Sequence, residues 1–306
     1  MKQVIDRAVD EVGRALLGKE AQIRLALCCL MARGHLLIED LPGMGKTTLS
    51  HALAAVLGLS YSRIQFTSDL LPADILGVAV FDQGRNAFTF HEGPIFSQLL
   101  LADEINRTTP RTQSALLEAM GEGQVTVEGE TRQLPQPFFV IATQNPVYQS
   151  GTYPLPESQL DRFLMRIELG YPDPRAERQM FQRDVASGQA PQISACLNPS
   201  QLAEIQAGVD KVHASDNLLD YLQRLVAYTR NAPEFAYGLS PRGALALLQS
   251  ARTWALMEGR SHVVPEDLQA VLPAVAGHRL VPTGDFSGDS GALVRDLLHN
   301  VDVIAA

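Results

Sequence analysis

Asp40-Leu41-Pro42-Gly43-Met44-Gly45-Lys46-Thr47-Thr48 is a glycine-containing turn that runs directly into a lysine and two threonines. Glycines let a backbone turn close around an anion with its N–H groups inward, and a helix starting there adds its dipole and unpaired donors. On that reading Pro42, Gly43, Met44, Gly45, Lys46, Thr47 and Thr48 cradle a nucleotide; Lys46 reaches the β- and γ-phosphates and the Thr47 hydroxyl holds Mg2+. The pattern G-x-x-x-x-G-K-[ST] is missed at its first position, where Asp40 stands in place of glycine. The turn survives the exchange if Asp40 keeps an ordinary φ. Solvent turns also produce Gly-x-Gly-Lys-Thr by chance, so its surroundings decide the reading.

Two further groups could complete a phosphoryl-transfer site. The run Leu99-Leu100-Leu101-Ala102-Asp103-Glu104 sets two carboxylates at the end of an apolar segment. Beside a phosphate turn, Asp103 would coordinate Mg2+ through water and Glu104 would polarise the attacking water; alone, two acids at a strand end are commonplace. Phe138-Phe139-Val140-Ile141-Ala142-Thr143-Gln144-Asn145 likewise ends in amides. Asn145 could orient the hydrolytic water, or Asn145-Pro146 could be only a turn.

The elements that must position these groups follow from periodicity. His35 to Glu39, Tyr61 to Phe66, Gln98 to Asp103, Pro137 to Thr143 and Leu164 to Leu169 read as strands separated by helical or turn-rich segments, which favours a largely parallel sheet covered by helices. Two helices precede the first strand, with Leu16 to Glu20 as the loop between them. Two β-hairpins interrupt the rhythm, at about 78–90 around Asp82 to Asn86 and at about 124–134 around Glu128-Gly129. After Gly170 the strand signals fade, and a linker around 187–199 leads to helices near 200–212, 217–230, 241–258, 265–277 and 290–300. Ser240-Pro241 and Pro265-Glu266-Asp267 mark two of their starts. The expected division is an α/β unit over 1–190 and an all-helical unit over 191–306.

The chain has 306 residues, a formal charge of −9, 46% hydrophobic and 19% charged residues. Those figures suit a soluble globular protein and exclude a disordered chain or one drawn electrostatically to nucleic acid or anionic lipid as a whole. No apolar stretch approaches a membrane span, and Cys28, Cys29 and Cys196 form no CxxC, so small core thiols in a reducing cytoplasm are expected. The seven histidines show no zinc spacing, Trp254 falls at helical spacing with Leu247, Leu248 and Ala251, and Gly288-Asp289-Ser290-Gly291 reads as a turn and helix cap.

Taken in order, Asp103-Glu104-Ile105-Asn106-Arg107, Gln113 to Met120, Ala142 to Pro146, Gly151 to Glu157 and Leu160-Asp161-Arg162-Phe163 resemble the MoxR family of AAA+ ATPases. The resemblance implies an α/β P-loop NTPase core, with a parallel sheet sandwiched by helices, and an all-α lid. It also implies a ring, usually hexameric, with ATP and Mg2+ bound between subunits. It makes Lys46 and Thr47 Walker A, Asp103 and Glu104 Walker B, Asn145 sensor 1, Arg162 the arginine finger and Arg242 sensor 2. Leu17 and Gly18 fall where the family's N-terminal loop borders the adenine. A protein client and a von Willebrand factor A-domain partner are implied, with metal or cofactor insertion a frequent outcome. Glu128 and Glu130 at the second hairpin's tip, against Arg85 alone in the first, disfavour a DNA motor. A helicase-like motor, a magnesium-chelatase-like subunit and a nucleotide-switched scaffold with little turnover are the competing readings.

Overall fold

A computed structural model describes residues 1–84, 86–145, 152–187, 192–284 and 290–304. Arg85, Pro146, Gly151, Gly288 and Asp289, and residues 188–191 around the expected boundary, lie outside the described residues. The order is α1 (Lys2–Ala15), α2 (Glu20–Met31), β1 (Leu36–Glu39), α3 (Lys46–Val56), β2 (Tyr61–Gln65), α4 (Pro72–Leu76), β3 (Gly77–Asp82), β4 (Ala87–Glu92), β5 (Leu99–Asp103), α5 (Pro110–Glu122), β6 (Gln124–Val127), β7 (Glu130–Gln133), β8 (Phe139–Gln144), α6 (Glu157–Leu160), β9 (Met165–Ile167) and α7 (Pro174–Ser187). There follow α8 (Pro199–Val209), α9 (Asp216–Asn231), β10 (Phe235–Tyr237), α10 (Pro241–Met257), α11 (Pro265–Ala276), β11 (Val281–Pro282) and α12 (Ser290–Asn300).

Five strands form one sheet in the order β2-β5-β8-β1-β9, and every pairing in it is parallel. Strand alternation sorts its side chains into two cores. Leu36, Ile38, Leu99, Leu101, Phe139 and Ile141 face the cluster that holds α1, α2 and α3, while Leu37, Leu100, Ala102, Val140 and Ala142 face the cluster with Leu116, Leu117 and Met120 of α5. With apolar cover on both sides, β1, β5 and β8 must be near-continuous hydrophobic runs. The same topology brings their carboxyl ends, Asp40, Glu104 and Asn145, to one edge of the sheet, where ligands of open α/β sheets bind.

The helical region is not a separate core. The first cluster continues from the sheet through α2 into Leu202, Leu225, Leu247, Leu272 and Leu297. Helix α2 buries Ile23 and every residue from Ala26 to Met31, because it is wedged against β9 on one side and α8 and α10 on the other. Arg279, 5% exposed, ties the two regions by donating to the Phe163 (2.7 Å) and Leu164 (3.1 Å) carbonyls. Ser240 caps α10 by accepting from the Gly243 N–H at 3.0 Å. The region also carries a small antiparallel pairing of β10 with β11 that no helical pattern foretold. Both hairpins, β3/β4 and β6/β7, are antiparallel, and the guanidinium of Arg132 on β7 stacks 4.0 Å from the centre of the Phe90 ring on β4.

Candidate functional site

The phosphate-type turn leaves β1 and closes on α3, whose first residue is Lys46. Gly43 (φ 85°) and Gly45 (φ 91°) take left-handed conformations that side-chain-bearing residues avoid. A Cβ on Gly43 would meet nothing within 4 Å, so the turn faces open space there, whereas one on Gly45 would lie 2.6 Å from Leu16 Cδ1. Pro42, Gly43 and Thr48 are exposed, and Met44 and Thr47 partly so, at the mouth of the turn. Asp40 keeps an ordinary φ. Its carboxylate accepts three backbone N–H bonds, from Leu41 at 2.7 Å, Leu169 at 2.8 Å and Gly170 at 2.6 Å. The aspartate in the glycine position therefore stitches the turn to the segment leaving β9.

Lys46 is 7% exposed. Its Nζ donates to the Asp40 and Leu41 carbonyls and, at 3.2 Å, to Asn145 Oδ1. Burial pulls its pKa below the usual lysine range, while Asp40, Asp103 and Glu104 act the other way. The Asn145 amide donates from Nδ2 to Glu104 Oε1 at 2.9 Å, so one amide joins the lysine to the glutamate with both its ends assigned by their partners. Glu104 Oε2 accepts from Gln65 Nε2 (2.8 Å) and pairs with Arg107 Nε (3.0 Å), and Glu104 itself is held at φ 57°. A non-glycine residue in that region costs energy that its surroundings must over-determine. Asp103 accepts Thr143 Oγ1–H on Oδ1 (2.6 Å) and Arg63 on Oδ2 (2.7 Å).

Lys46, Asn145 and Glu104 thus form one bonded chain beside the glycine turn, and Asp103 joins it through the Thr143 hydroxyl, which also accepts the Glu104 N–H at 2.8 Å. Arg162 and Arg242 stand apart from it. Arg162 Nη1 donates to the Leu117 carbonyl of α5 at 2.7 Å, and Arg242, with 66% of its side chain exposed, reaches Asp161 Oδ2 at 3.7 Å. Gly18 (φ 69°) abuts α7, where a Cβ would sit 2.7 Å from that of Ala176; Leu17 beside it is partly buried. Among the described residues, no three His, Cys, Asp or Glu side chains gather as a metal site, and no helix is long and apolar enough to cross a membrane.

Four participants carried no role in the sequence reading: Arg63, Gln65, Arg107 and Thr143. Gln65 is paired in register with Asp103 across β2 and β5, and Thr143 reaches Asp103 from β8. Periodicity identifies strands but not which strands are neighbours, so only the Asp-Glu-Ile-Asn-Arg run and the polar ends of β2 and β8 signalled them.

A glycine turn at the carboxyl edge of a parallel sheet, with a bonded lysine, carboxylate pair and amide and a helical lid packed behind, defines a P-loop ATPase fold of the AAA+ class. Residues 35–165 match the model of the ATPase family associated with various cellular activities, and residues 227–297 match an AAA lid domain. An uncharacterised protein, YeaC, of Bacillus subtilis is 43% identical over 98% of this chain and 95% of its own length. Chaperone MoxR1 of Mycobacterium tuberculosis is 43% identical over 93% of this chain and 78% of its own. A crystal structure of an ATPase candidate from Cytophaga hutchinsonii superposes with a TM-score of 0.90 at 37% identity, covering 98% of this chain and 95% of that one. The chain belongs to the MoxR family of AAA+ ATPases.

Proposed function

We propose that this chain hydrolyses ATP at sites shared between copies of itself in a closed, hexameric ring, and that the cycle remodels or matures a protein client in the cytoplasm. Assisted metal or cofactor insertion is one form of that output, and a von Willebrand factor A-domain protein is the expected partner. The observation that carries the reading is the Lys46–Asn145–Glu104 chain of hydrogen bonds. The lysine would meet the β- and γ-phosphates, and the amide fixes where Glu104 stands relative to them. Glu104, its Oε1 toward Asn145 and its Oε2 held by Gln65 and Arg107, would orient and deprotonate the attacking water.

The Thr47 hydroxyl and the Asp103 carboxylate are hard oxygen donors suited to Mg2+, which when bound neutralises developing charge on the phosphates. Both Asp103 oxygens already have protein partners, Thr143 and Arg63, which favours contact through water over direct ligation. Arg162 would complete a neighbour's site and Arg242 would fold onto its own, and Leu17 and Gly18 would border the adenine. The exposed Glu128 and Glu130, with Arg132 paired to Glu130 and stacked on Phe90, leave the second hairpin poor in cations for nucleic acid.

The test is ATP binding and turnover of two variants. Lys46→Ala abolishes both, whereas Glu104→Gln retains ATP and loses turnover. Normal hydrolysis by either variant would overturn the site, and DNA-stimulated hydrolysis with salt-sensitive DNA binding would replace the protein client by a nucleic acid.

A further inference from the structure

One buried polar cluster is not used by the site as described. Asn106, Thr108, Thr112 and Gln113 are each no more than 1% exposed, between the glutamate turn and the start of α5. Burying so many polar groups is costly unless they are hydrogen-bonded, and the side-chain donors of Asn106, Thr112 and Gln113 are. The Gln113 amide donates to three backbone carbonyls, those of Ile105 (3.1 Å), Thr108 (3.3 Å) and Tyr153 (3.1 Å). The first two belong to the turn that follows Glu104; the third belongs to the segment that leads to Arg162. Asn106 works the same seam, since its Nδ2 donates to the Asn145 carbonyl at 3.1 Å and its own carbonyl accepts the Tyr153 N–H at 2.6 Å.

The attachment continues along α5. One turn on from Gln113, the Leu117 carbonyl receives Arg162 Nη1 at 2.7 Å. A Cβ on Gly121, one further turn along, would lie 2.5 Å from that same nitrogen. The face of α5 carrying Gln113, Leu117 and Gly121 is therefore a ruler with Tyr153 seated at one end and the Arg162 guanidinium at the other.

We infer that Gln113 is a positioning residue that sets Arg162 for the neighbouring subunit's γ-phosphate by holding the 153–162 segment against α5. Because the same amide grips the Glu104 turn, it also makes the finger's placement answer to the state of its own subunit's site. The inference rests on the shared-site reading above. Gln113→Leu keeps the side-chain volume and removes all three donations. Loss of positioning of this kind lowers turnover by roughly 10- to 100-fold while leaving nucleotide affinity unchanged.

The experiment mixes variant chains. Arg162→Ala has an intact site but no finger, and Glu104→Gln has a finger but no working site; ATP turnover returns on mixing them if fingers act between subunits. Gln113→Leu is then added to one chain or the other. On the Glu104→Gln chain, whose finger the mixed ring uses, it should suppress the restored turnover about as strongly as in an otherwise native ring. On the Arg162→Ala chain, where the amide touches only the turn of that chain's own working site, it should suppress turnover far less. Equal suppression from either chain means a general structural role and overturns the assignment, as does suppression only from the Arg162→Ala chain. No restoration on mixing the two starting variants overturns the shared site itself, and the assignment with it. A fluorescent ATP analogue, bound equally by native and Gln113→Leu protein, separates misplacement from misfolding.

Discussion

The two halves of the proposed catalytic machinery are built differently. Around the glycine turn, every group is cross-braced: Lys46 to Asn145, Asn145 to Glu104, Glu104 to Gln65 and Arg107, Asp103 to Thr143 and Arg63. The arginines do not share this bracing. Arg162 is held through one carbonyl and Arg242 through one long ion pair, with two-thirds of its side chain in solvent. A single chain assembles the first half completely and leaves the second lightly held, an outward half in the sense that, on the proposed reading, a lid and a neighbouring copy would complete it. Ground-state binding should belong to the braced half alone, while turnover should draw on Glu104 in that half and on both arginines of the outward one.

The largest effect that tests this contrast is Arg162→Ala. Transition-state charge that a finger stabilises is worth about 10³-fold or more in turnover. The variant should lose that much ATPase activity while binding ATP as tightly as the native chain, read by steady-state rates beside equilibrium titration. A weakened ATP affinity would place Arg162 in its own subunit's pocket and dissolve the contrast.

At the amino end of β1, opposite the glycine turn, lies His35, partly buried, with Nδ1 accepting the Val140 N–H at 3.0 Å and Nε2 therefore donating to the Met120 carbonyl. Burial pushes its pKa down to about 4. An unfolded histidine titrates near 6.5, so between those values the unfolded chain binds a proton that the folded chain refuses. Stability is whole above pH 6.5 and falls toward pH 4, by about 1.4 kcal/mol per pH unit and about 3 kcal/mol in all from this group. Denaturant midpoints measured from pH 7 to 4.5 should show the fall, and His35→Gln should flatten it.

Asp40→Ala removes a carboxylate that satisfies three backbone N–H groups, and should cost about 2 kcal/mol of folding stability, measured by chemical denaturation. Asp40→Gly, although it supplies the residue that the phosphate-turn pattern asks for, should cost as much. A gain from Asp40→Gly would show that the aspartate is a tolerated exchange and not a brace.

How legible these halves are in the sequence differs for the same reason. The strands, most helices and both hairpins follow from local periodicity and turn residues, and Lys46, Asp103, Glu104 and Asn145 follow from glycine spacing and acids or amides at the ends of apolar runs. Their geometry relative to one another does not. Gln65 meets Glu104 only because β2 and β5 are neighbours, and Asp40 finds Leu169 and Gly170 only because β9 lies on the far side of β1. Sequence patterns carry local conformation, while strand order and the contacts of α2 with the helical lid are non-local outcomes of packing. The β10–β11 pairing was hidden likewise, its strands being short and separated by α10 and α11.

The smallest expected effect is also the most discriminating for the outward half. Arg242→Ala should change folding stability by less than about 0.5 kcal/mol, because an exposed ion pair at 3.7 Å contributes little against screening and side-chain entropy. Nor does its removal strand a charge, since Asp161 keeps Arg279 Nε at 2.8 Å. If Arg242 nevertheless serves the γ-phosphate once the lid closes, the same substitution slows ATP turnover while its denaturation curve overlays the native one. A curve shifted by 2 kcal/mol or more would mean that the arginine braces the ground state, and the outward half would then be no different in kind from the inner one.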